Sequence, residues 1–365
     1  MTLLHWKIGV EIELLAPPGK SRRDLAELLA KHHNGKVRRF FHPQAELGKT
    51  PGTPIFENLT LGFEVVDAAG KLVALCVDDL TLQNNLRKQF PSLPGWYRIV
   101  SDDTRLLKLV MQQSNAAAPI EQVLEPIATL FGTQATSNSE GMIRVADDHG
   151  APIAIASPLP GERERPCELV TPPIDTDHLK RLNSLLAPAA KLGFTAPLEG
   201  ATHIHFDATQ LCHPFVLANL VRILSVHGPA LKQLVHTNPQ CRRLGNWPEE
   251  LEKIVQSPEF LNETSWEQAR TQLLPLKLSK YCDFNIRNFI YAVPNKKTFE
   301  VRIFPVWLDA QTVIEAAGLF ESILNFAVNS GNKLKPVPST LEQLLEVLPL
   351  ETSLQKCWKT KLIFQ

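Results

Sequence analysis

The sequence predicts an α+β fold in which helices back a curved, mainly antiparallel sheet. In the segment KIGVEIELL, residues 7–15, apolar residues alternate with Gly9, Glu11 and Glu13. This is the period of a strand that has one apolar face and one polar face. Three later segments repeat the pattern, and stretches with apolar residues at helical spacing follow them. We therefore expect several strands to turn their polar faces toward one concave site.

The predicted strands carry side chains that suit a metal site. In chain order these are Glu11 and Glu13 in the first strand, Glu168 in PCELVTPP, His203 and His205 in GATHIHFDA, and Glu300 and Arg302 in TFEVRIFP. Carboxylates that cluster at a few ångströms raise one another's pKa or push the strands apart unless cations lie between them. The pattern therefore indicates hard divalent metal ions on the polar face of the sheet.

These four segments, in this order, resemble the motifs of the amidoligase family. That family belongs to the carboxylate–amine ligase superfamily, together with glutamine synthetase and γ-glutamylcysteine ligase. The resemblance implies a sheet of the glutamine synthetase catalytic-domain type. It also implies ATP-dependent formation of an amide bond, through an acyl phosphate, between an amino-acid or peptide carboxylate and an amine. The cofactors implied are ATP and Mg²⁺ or Mn²⁺, and the partners are small molecules.

The resemblance also implies which residues hold the metal ions. Glu11, His203 and Glu300 correspond to ligands of the metal that orients the transferred phosphoryl group. Glu13 and Glu168 correspond to ligands of a second metal, which faces the acceptor substrate. The superfamily usually offers a further acid at this second metal, and no residue of this sequence matches it.

Four basic residues are implied or suggested as contacts for the nucleotide or the substrate. By resemblance, Arg302 would stabilise the phosphoryl group in transfer, and His205 would lie near the nucleotide phosphates or the substrate carboxylate. The turn QCRRLGNWP adds Arg242 and Arg243, which have the reach to bind a phosphate or a carboxylate. Most arginines in such turns are simply solvated, and both interpretations stay open.

Two other functions compete with a ligase. A two-metal hydrolase could use Glu11, Glu13, Glu168, His203 and His205, because H-x-H pairs also occur in zinc hydrolases. A binding protein without turnover is the second alternative, although the acids present in all four motifs argue against it. The sequence has neither GxxxxGK[ST] nor GxGxxG, so metal ions and side chains would have to hold any phosphate.

We expect three regions along the chain. Residues 1–36 and 132–330 should form the catalytic domain, residues 37–131 a protruding insertion or subdomain with a β-hairpin and helices, and residues 331–365 a helical tail. Within the insertion, turn residues at Asp67–Gly70 predict the hairpin. Helices are expected near Leu80–Gln89 and Thr104–Gln113, and Asp78 and Asp79 are expected to form turns.

Local signals predict further helices. Ser21 and Asp24 form a capping box, and Asp309 is placed to cap a helix from about residue 310 to 329. Residues 249–274 are expected to be helical, and a second capping box is expected from Ser339 to Glu342.

Composition limits the binding partners and the cellular compartment that we expect for the protein. The chain has 365 residues with 38 basic and 38 acidic side chains, and no basic run that would favour nucleic acid or an anionic membrane. The six cysteines are scattered, which favours reduced thiols in the cytoplasm. No run long enough to cross a bilayer is expected, and the oligomeric state is left open.

Overall fold

A computed structural model describes residues 3–45, 57–91, 93–241 and 243–363. The strands are β1 (Ile8–Leu15), β2 (Lys36–Ala45), β3 (Glu57–Val66), β4 (Leu72–Val77), β5 (Tyr97–Ser101), β6 (Thr136–Ser137), β7 (Ile143–Ala146), β8 (Pro152–Pro158), β9 (Pro166–Val170), β10 (Thr202–Asp207), β11 (Phe284–Asn285) and β12 (Thr298–Phe304). The helices are α1 (Arg22–His32), α2 (Thr104–Gln113), α3 (Glu125–Leu130), α4 (His178–Lys191), α5 (Pro214–Leu234), α6 (Glu249–Val255), α7 (Pro258–Leu261), α8 (Trp266–Leu273), α9 (Arg287–Ile290), α10 (Ala310–Val328), α11 (Leu341–Val347) and α12 (Thr352–Ile363).

The chain forms two compact units. The first contains residues 1–11, 173–186 and 199–365, and the second contains residues 12–172 and 187–198. Strands and helices occur in both, and the strand pairs with a described register are antiparallel. The prediction of an α+β fold with a mainly antiparallel sheet is therefore confirmed, whereas the specific fold type stays a prediction.

In the first unit, the strand order is β11–β12–β10–β1. Helices α5 and α10 pack against each other in the core of this unit. The ring of Phe320 on α10 lies 6.0 Å from Phe284 of β11 and 5.3 Å from Phe304 of β12. Before β1, the Glu321 carboxylate accepts the backbone N–H groups of His5 and Trp6. Helix α10 thus backs the strands and also fixes the start of β1.

The register of β10 and β12 contains one irregularity. Ile204 pairs with Val301, and Thr202 pairs with Phe304. Two steps along β10 thus match three steps along β12, which places an extra residue in β12 next to Arg302. Such a bulge interrupts the regular alternation of side chains.

In the second unit, the strand order is β9–β4–β3–β5–β8–β7–β6, and β2 also pairs with β3. The predicted hairpin is present, because β3 and β4 pair through the turn at Asp67–Gly70. Strands β4 and β5 also pair with β9 and β8, which lie outside residues 37–131. Whether this segment is an insertion or subdomain that protrudes from the catalytic domain stays a prediction.

A buried ionic group, the arginine cluster, lies in the second unit and consists of Arg22, Asp78 and Arg163. Arg163 Nη2 lies 2.6 Å from Asp78 Oδ1, and Arg22 Nη1 lies 3.9 Å from the same oxygen. Arg22 begins α1, directly after the confirmed capping box of Ser21 and Asp24. The turn-forming role predicted for Asp78 is wrong, because its side chain is fully buried among arginines. Asp79 does form a turn, since it accepts the Thr81 N–H.

Two predicted helices differ from the structure. Residues 80–91 form turns, in which the side chains of Gln44 and Asp79 accept the N–H groups of Leu80 and Thr81. Residues 249–274 form the three short helices α6, α7 and α8, since Ser257 and Ser265 each cap a new helix. Near the end of the chain, Thr340 caps α11, one residue later than predicted.

Helix α5 bears on the membrane prediction. By length and composition alone, it is the one helix in the described parts of the chain that could cross a bilayer. This differs from the expectation that no run would be long enough. The mean hydropathy of its most apolar window is 1.3, and 67% of that window is buried. A mostly buried helix of this kind is typical of the core of a soluble protein.

Candidate metal and active site

Three neighbouring strands of the first unit bring together five of the predicted residues, here called the site cluster: Glu11 of β1, His203 and His205 of β10, and Glu300 and Arg302 of β12. Alternation along each strand places residues two apart on one face. His205 pairs directly with Glu300 in the antiparallel register. The pattern recognised in the sequence thus becomes one group of side chains.

Glu11, His205 and Glu300 lie closest to a common point. His205 Nε2 lies 3.3 Å from Glu11 Oε1 and 3.9 Å from Glu300 Oε1. One ligand atom from each of the three residues lies within 4.8 Å of the others. Glu11 is 25% exposed and His205 is 16% exposed, so solvent reaches this point.

His203 lies deeper in the same cluster. Its Nδ1 atom is 3.5 Å from Glu11 Oε2 and 3.7 Å from Glu300 Oε1, and the side chain is 2% exposed. Both imidazoles therefore contact both carboxylates.

Glu300 is held in place by two neighbours. Arg302 donates from Nη1 to Glu300 Oε1, and Asn285 donates from Nδ2 to Glu300 Oε2 at 2.7 Å. Asn285 stands opposite Glu300 in the pairing of β11 and β12, and it is buried. The guanidinium of Arg302 thus faces the Glu300 carboxylate, and Asn285 fixes the second oxygen.

The carboxylates of the cluster are ionised. Burial alone would raise the pKa of Glu11, but the neighbouring His205 and His203 outweigh burial and hold that pKa well below its usual value. Burial likewise would raise the pKa of Glu300, whereas His205, Arg302 and His203 together lower it. Both side chains therefore offer negatively charged oxygen atoms at neutral pH.

The pKa values of the two histidines are shifted in opposite directions. Burial lowers the pKa of His203, and the positive charge of Arg302 lowers it further. Burial also disfavours charge on His205, but the carboxylates of Glu11 and Glu300 outweigh it and raise the pKa of His205. The two imidazoles therefore differ in their affinity for a proton.

The residues present fit a divalent cation. Ligands about 2.1 Å from an octahedral Mg²⁺ lie about 3.0 Å apart when adjacent, which is close to the separations within the cluster. The buried Nε2 atom of His205 lies near two carboxylate oxygens. Two ionised carboxylates and an imidazole nitrogen that converge in this way would hold Mg²⁺ or Mn²⁺.

Two predicted ligands belong to the second unit. Glu13 is fully buried on β1, and Glu168 is half-buried on the neighbouring strand β9, where it pairs with Val77. Their role as ligands of a second metal stays a prediction.

Of the two arginines in the turn after α5, the structure describes one. Arg242 lies outside the described residues. Arg243 is half-buried, two residues before Gly245, whose backbone exchanges hydrogen bonds with Asp283. A role for either arginine in binding phosphate stays a prediction.

Sequence patterns did not assign roles to three residues around the cluster. Asn285 contacts Glu300, and Thr298 Oγ1 lies 3.3 Å from His205 Nδ1. Asn288 donates to Thr298 at 3.1 Å. The Asn285 position resembles one in a strand motif of the family, but the resemblance assigned it no role. The one sequence signal for Thr298 is its position two residues before Glu300, on the same face of the strand.

Comparison with known proteins gives one match. A family described as "Putative amidoligase enzyme" matches residues 4–324, a range that contains every residue of the site cluster. Neither curated proteins nor solved structures gave a match.

Proposed function

This chain belongs to the amidoligase family, and on that premise we propose that it is an ATP-dependent carboxylate–amine ligase. The proposed reaction joins the carboxylate of an amino acid or peptide to an amine through an acyl phosphate. We also propose that its sheet is of the glutamine synthetase catalytic-domain type.

One observation carries the proposal: Glu11, His205 and Glu300 converge with ionised oxygens and an imidazole nitrogen. Amide formation is uphill in water, so the carboxylate must first be activated. Transfer of a phosphoryl group needs cations against the phosphate oxygens and positive charge where negative charge develops. The site cluster supports both requirements.

Each residue of the site cluster would have its own role in this reaction. Bound ATP and Mg²⁺ or Mn²⁺ would supply the phosphoryl group and neutralise its charge. Glu11, His205 and Glu300 would hold the cation, and Asn285 keeps the Glu300 carboxylate oriented toward it. Arg302, whose guanidinium contacts Glu300, would place fixed positive charge next to the phosphoryl group.

The test is ADP release over a panel of amino acids, short peptides and amines, with Mg²⁺ and with Mn²⁺. We expect ADP only when ATP, a carboxylate and an amine are present together, and we expect Glu11→Gln and Glu300→Gln to abolish it. Glu342→Gln, on the exposed surface of α11, is the matched control and should keep full activity.

Two outcomes would replace the proposal. Release of a carboxylate without ATP would indicate the two-metal hydrolase. Binding of Mn²⁺ with no turnover on any substrate of the panel would indicate a binding protein. Full ADP release by Glu11→Gln and Glu300→Gln would show that the site lies elsewhere.

A further inference from the structure

We propose that a cavity of the first unit, here called the α5–α6 cavity, binds a small organic cation such as a primary alkylammonium ion. The cavity has a volume of about 230 Å³ and lies between α5, α6, residues 245–248 and the start of β11. Ser225, Trp247, Glu252 and Phe284 are among its lining residues. The inference goes beyond the proposed ligase and does not depend on it.

The first step is the shape of the cavity. Its lining includes the exposed residues Ser225, Asn246 and Glu249 and the buried residues Leu251 and Phe284. The cavity is therefore open to solvent on one side and closed by apolar side chains on the other. At about 230 Å³, it is smaller than the roughly 300–1,000 Å³ of pockets that hold drug-sized ligands. It suits a molecule of a few carbon atoms.

The second step is a backbone acceptor in helix α5. Pro229 lies inside α5 and has no N–H, so the carbonyl of Ser225, four residues earlier, lacks its regular helical donor. Both residues line the cavity. At Gly228, a Cβ atom would lie only 3.2 Å from the Phe284 ring, so this ring packs against the helix backbone. Helix α5 thus supplies the cavity with a carbonyl that can accept a ligand N–H.

The third step is charge. Three carboxylates line the cavity, those of Glu249, Glu252 and Asp283, and no basic side chain of the described residues does. Lys232 Nζ lies 3.1 Å from Asp283 Oδ2, so this acid is already neutralised. The uncharged amide of Gln256 contacts Glu252 at 3.4 Å, and neither Glu249 nor Glu252 forms an ion pair within the described parts of the chain. Two negative charges without a counter-charge favour a cation in the cavity.

The fourth step is the aromatic wall. Trp247 donates its indole N–H to the Phe284 carbonyl at 2.6 Å, and the two rings lie 5.8 Å apart at an angle of 54°. The indole N–H is the only donor of this side chain, so the bond fixes the ring and leaves its π face for a ligand. Aromatic faces attract cations, and tryptophan does so best. Negative charge, an aromatic face and a carbonyl together recognise an alkylammonium group.

The α5–α6 cavity is separate from the site cluster. Phe284 pairs with Val301, and Asn285 pairs with Glu300. Successive residues of a strand point to opposite faces, and Asn285 contacts Glu300. Phe284 and the cavity that it lines therefore lie on the helix side of the sheet, where Phe284 also contacts Phe320. A cation bound there is a separate ligand and not the amine that the proposed ligase would join to a carboxylate.

The first measurement tests location and charge together. The ¹⁵N-labelled indole N–H of Trp247, assigned with Trp247→Phe, is followed at neutral pH during titration with butylammonium chloride, butanol or sodium butyrate. These probes have the same number of carbon atoms and differ in charge. We expect a saturable shift of the signal with butylammonium only. No shift with butylammonium, or an equal shift with butanol or butyrate, would overturn the inference.

The second measurement tests the acids. Calorimetry with butylammonium should give an affinity about 10-fold lower in Glu252→Gln, because a hydrogen bond to a charged group is lost. Glu250→Gln is the matched control, since Glu250 lies on the same helix but outside the lining of the cavity, and it should bind as wild type. Glu249→Gln provides a second variant should Glu252→Gln fail to fold. Wild-type affinity in the folded variant, or an equal loss in Glu250→Gln, would contradict the proposed site.

A third measurement separates the inference from the proposed function. Glu11→Gln, which should abolish ADP release, should bind butylammonium as tightly as wild type. Loss of binding in this variant would place the cation in the site cluster and overturn the inference. Binding at Trp247 without ADP release from any substrate would support the inference and reject the ligase. ADP release without a shift of the Trp247 signal would support the ligase and reject the inference.

Discussion

The two units each bury a group of ionic side chains, and the two groups are built differently. In the arginine cluster, Asp78 faces two permanently charged guanidinium groups. Arg22 donates to the carbonyls of Leu61 and Arg163 and stacks over the Trp96 ring at 4.6 Å. Backbone carbonyls and one carboxylate thus contact these arginines, which is the arrangement of a structural contact, although Arg22 Nη2 and Arg163 Nε make no hydrogen bond.

The site cluster has the opposite balance. Its two carboxylates face one guanidinium and two imidazoles whose charge depends on pH. The Nε2 atom of His205 lies 3.3 Å from Glu11 Oε1 and 3.9 Å from Glu300 Oε1. The site cluster is the less buried of the two, since Glu11 and His205 are 25% and 16% exposed and Arg22 and Asp78 are fully buried, but partial exposure alone does not identify a functional group. The distinguishing feature is a surplus of lone pairs that converge on one point, which the arginine cluster lacks.

The strongest test of this contrast removes the acid of the arginine cluster. Asp78→Asn should lower the free energy of unfolding by about 3–5 kcal/mol, because it leaves buried guanidinium groups without their counter-charge. Turnover per folded molecule should not change. Urea unfolding measures the loss, and Asp148→Asn, whose side chain is 88% exposed, is the control that should show no loss. If Asp78→Asn were as stable as this control, the structural assignment would be wrong.

The reciprocal test removes an acid of the site cluster. Glu11→Gln should lower ADP release by about 100-fold or more, since it removes a metal ligand and a negative charge at the reacting centre. Its loss of stability in EDTA should be smaller than that of Asp78→Asn, because Glu11 is partly solvated. If Glu11→Gln kept its activity but lost as much stability as Asp78→Asn, Glu11 would have a structural role like that of Asp78.

The third prediction concerns pH. In the folded protein, the pKa of His205 is raised by Glu11 and Glu300 against the effect of burial. Its protonation therefore stabilises the fold fully below the unfolded pKa of about 6.5, and this contribution is lost as the pH rises through the folded pKa. His203, whose pKa is lowered, has the opposite effect.

The measurement compares wild type with His205→Gln. Urea unfolding in EDTA is followed from below pH 6.5 upward. We expect the free energy of unfolding of the wild type to fall relative to that of the variant as the pH rises. Parallel curves would show that His205 does not titrate against the two carboxylates.

The smallest expected effect concerns the start of α1. Ser21→Ala removes the hydroxyl that accepts the Asp24 N–H and should cost about 1 kcal/mol. Ser21→Asn keeps a capping acceptor and is the matched control. A loss as large as that of Asp78→Asn would mean that the cap also holds Arg22 in the arginine cluster.

Local signals predicted the parts of the fold that are decided locally. The alternation in residues 7–15 predicted β1, the Ser21–Asp24 box predicted the start of α1, and Asp309 does cap α10 through Thr312. The alternation of polar and apolar residues also placed Glu11, His203, His205 and Glu300 on the polar faces of their strands, whereas the assignment of Glu11, His203 and Glu300 to the first metal stays a prediction.

Contacts between distant residues could not be predicted in the same way. Asp78 follows a strand and precedes turn residues, so its sequence suggests a turn, yet its partner Arg163 is 85 residues away. The turn at Leu80 is likewise contacted from a distance, since its N–H donates to Gln44, 36 residues earlier. Thr298 and Asn288 are ordinary strand and helix residues until the register places them beside His205.

The extra residue in β12 explains why Glu300 and Phe304, four positions apart, lie on opposite faces of the sheet. In an uninterrupted strand, Phe304 would share the face of Glu300, four positions earlier. The bulge reverses the side chains that follow it, and Phe304 contacts Phe320 on the helix side. The alternation of polar and apolar side chains is thus offset by one residue within β12. Deletion of the extra residue would leave the Phe304 side chain on the helix side, because three regular steps from Glu300 also end on the opposite face of the strand.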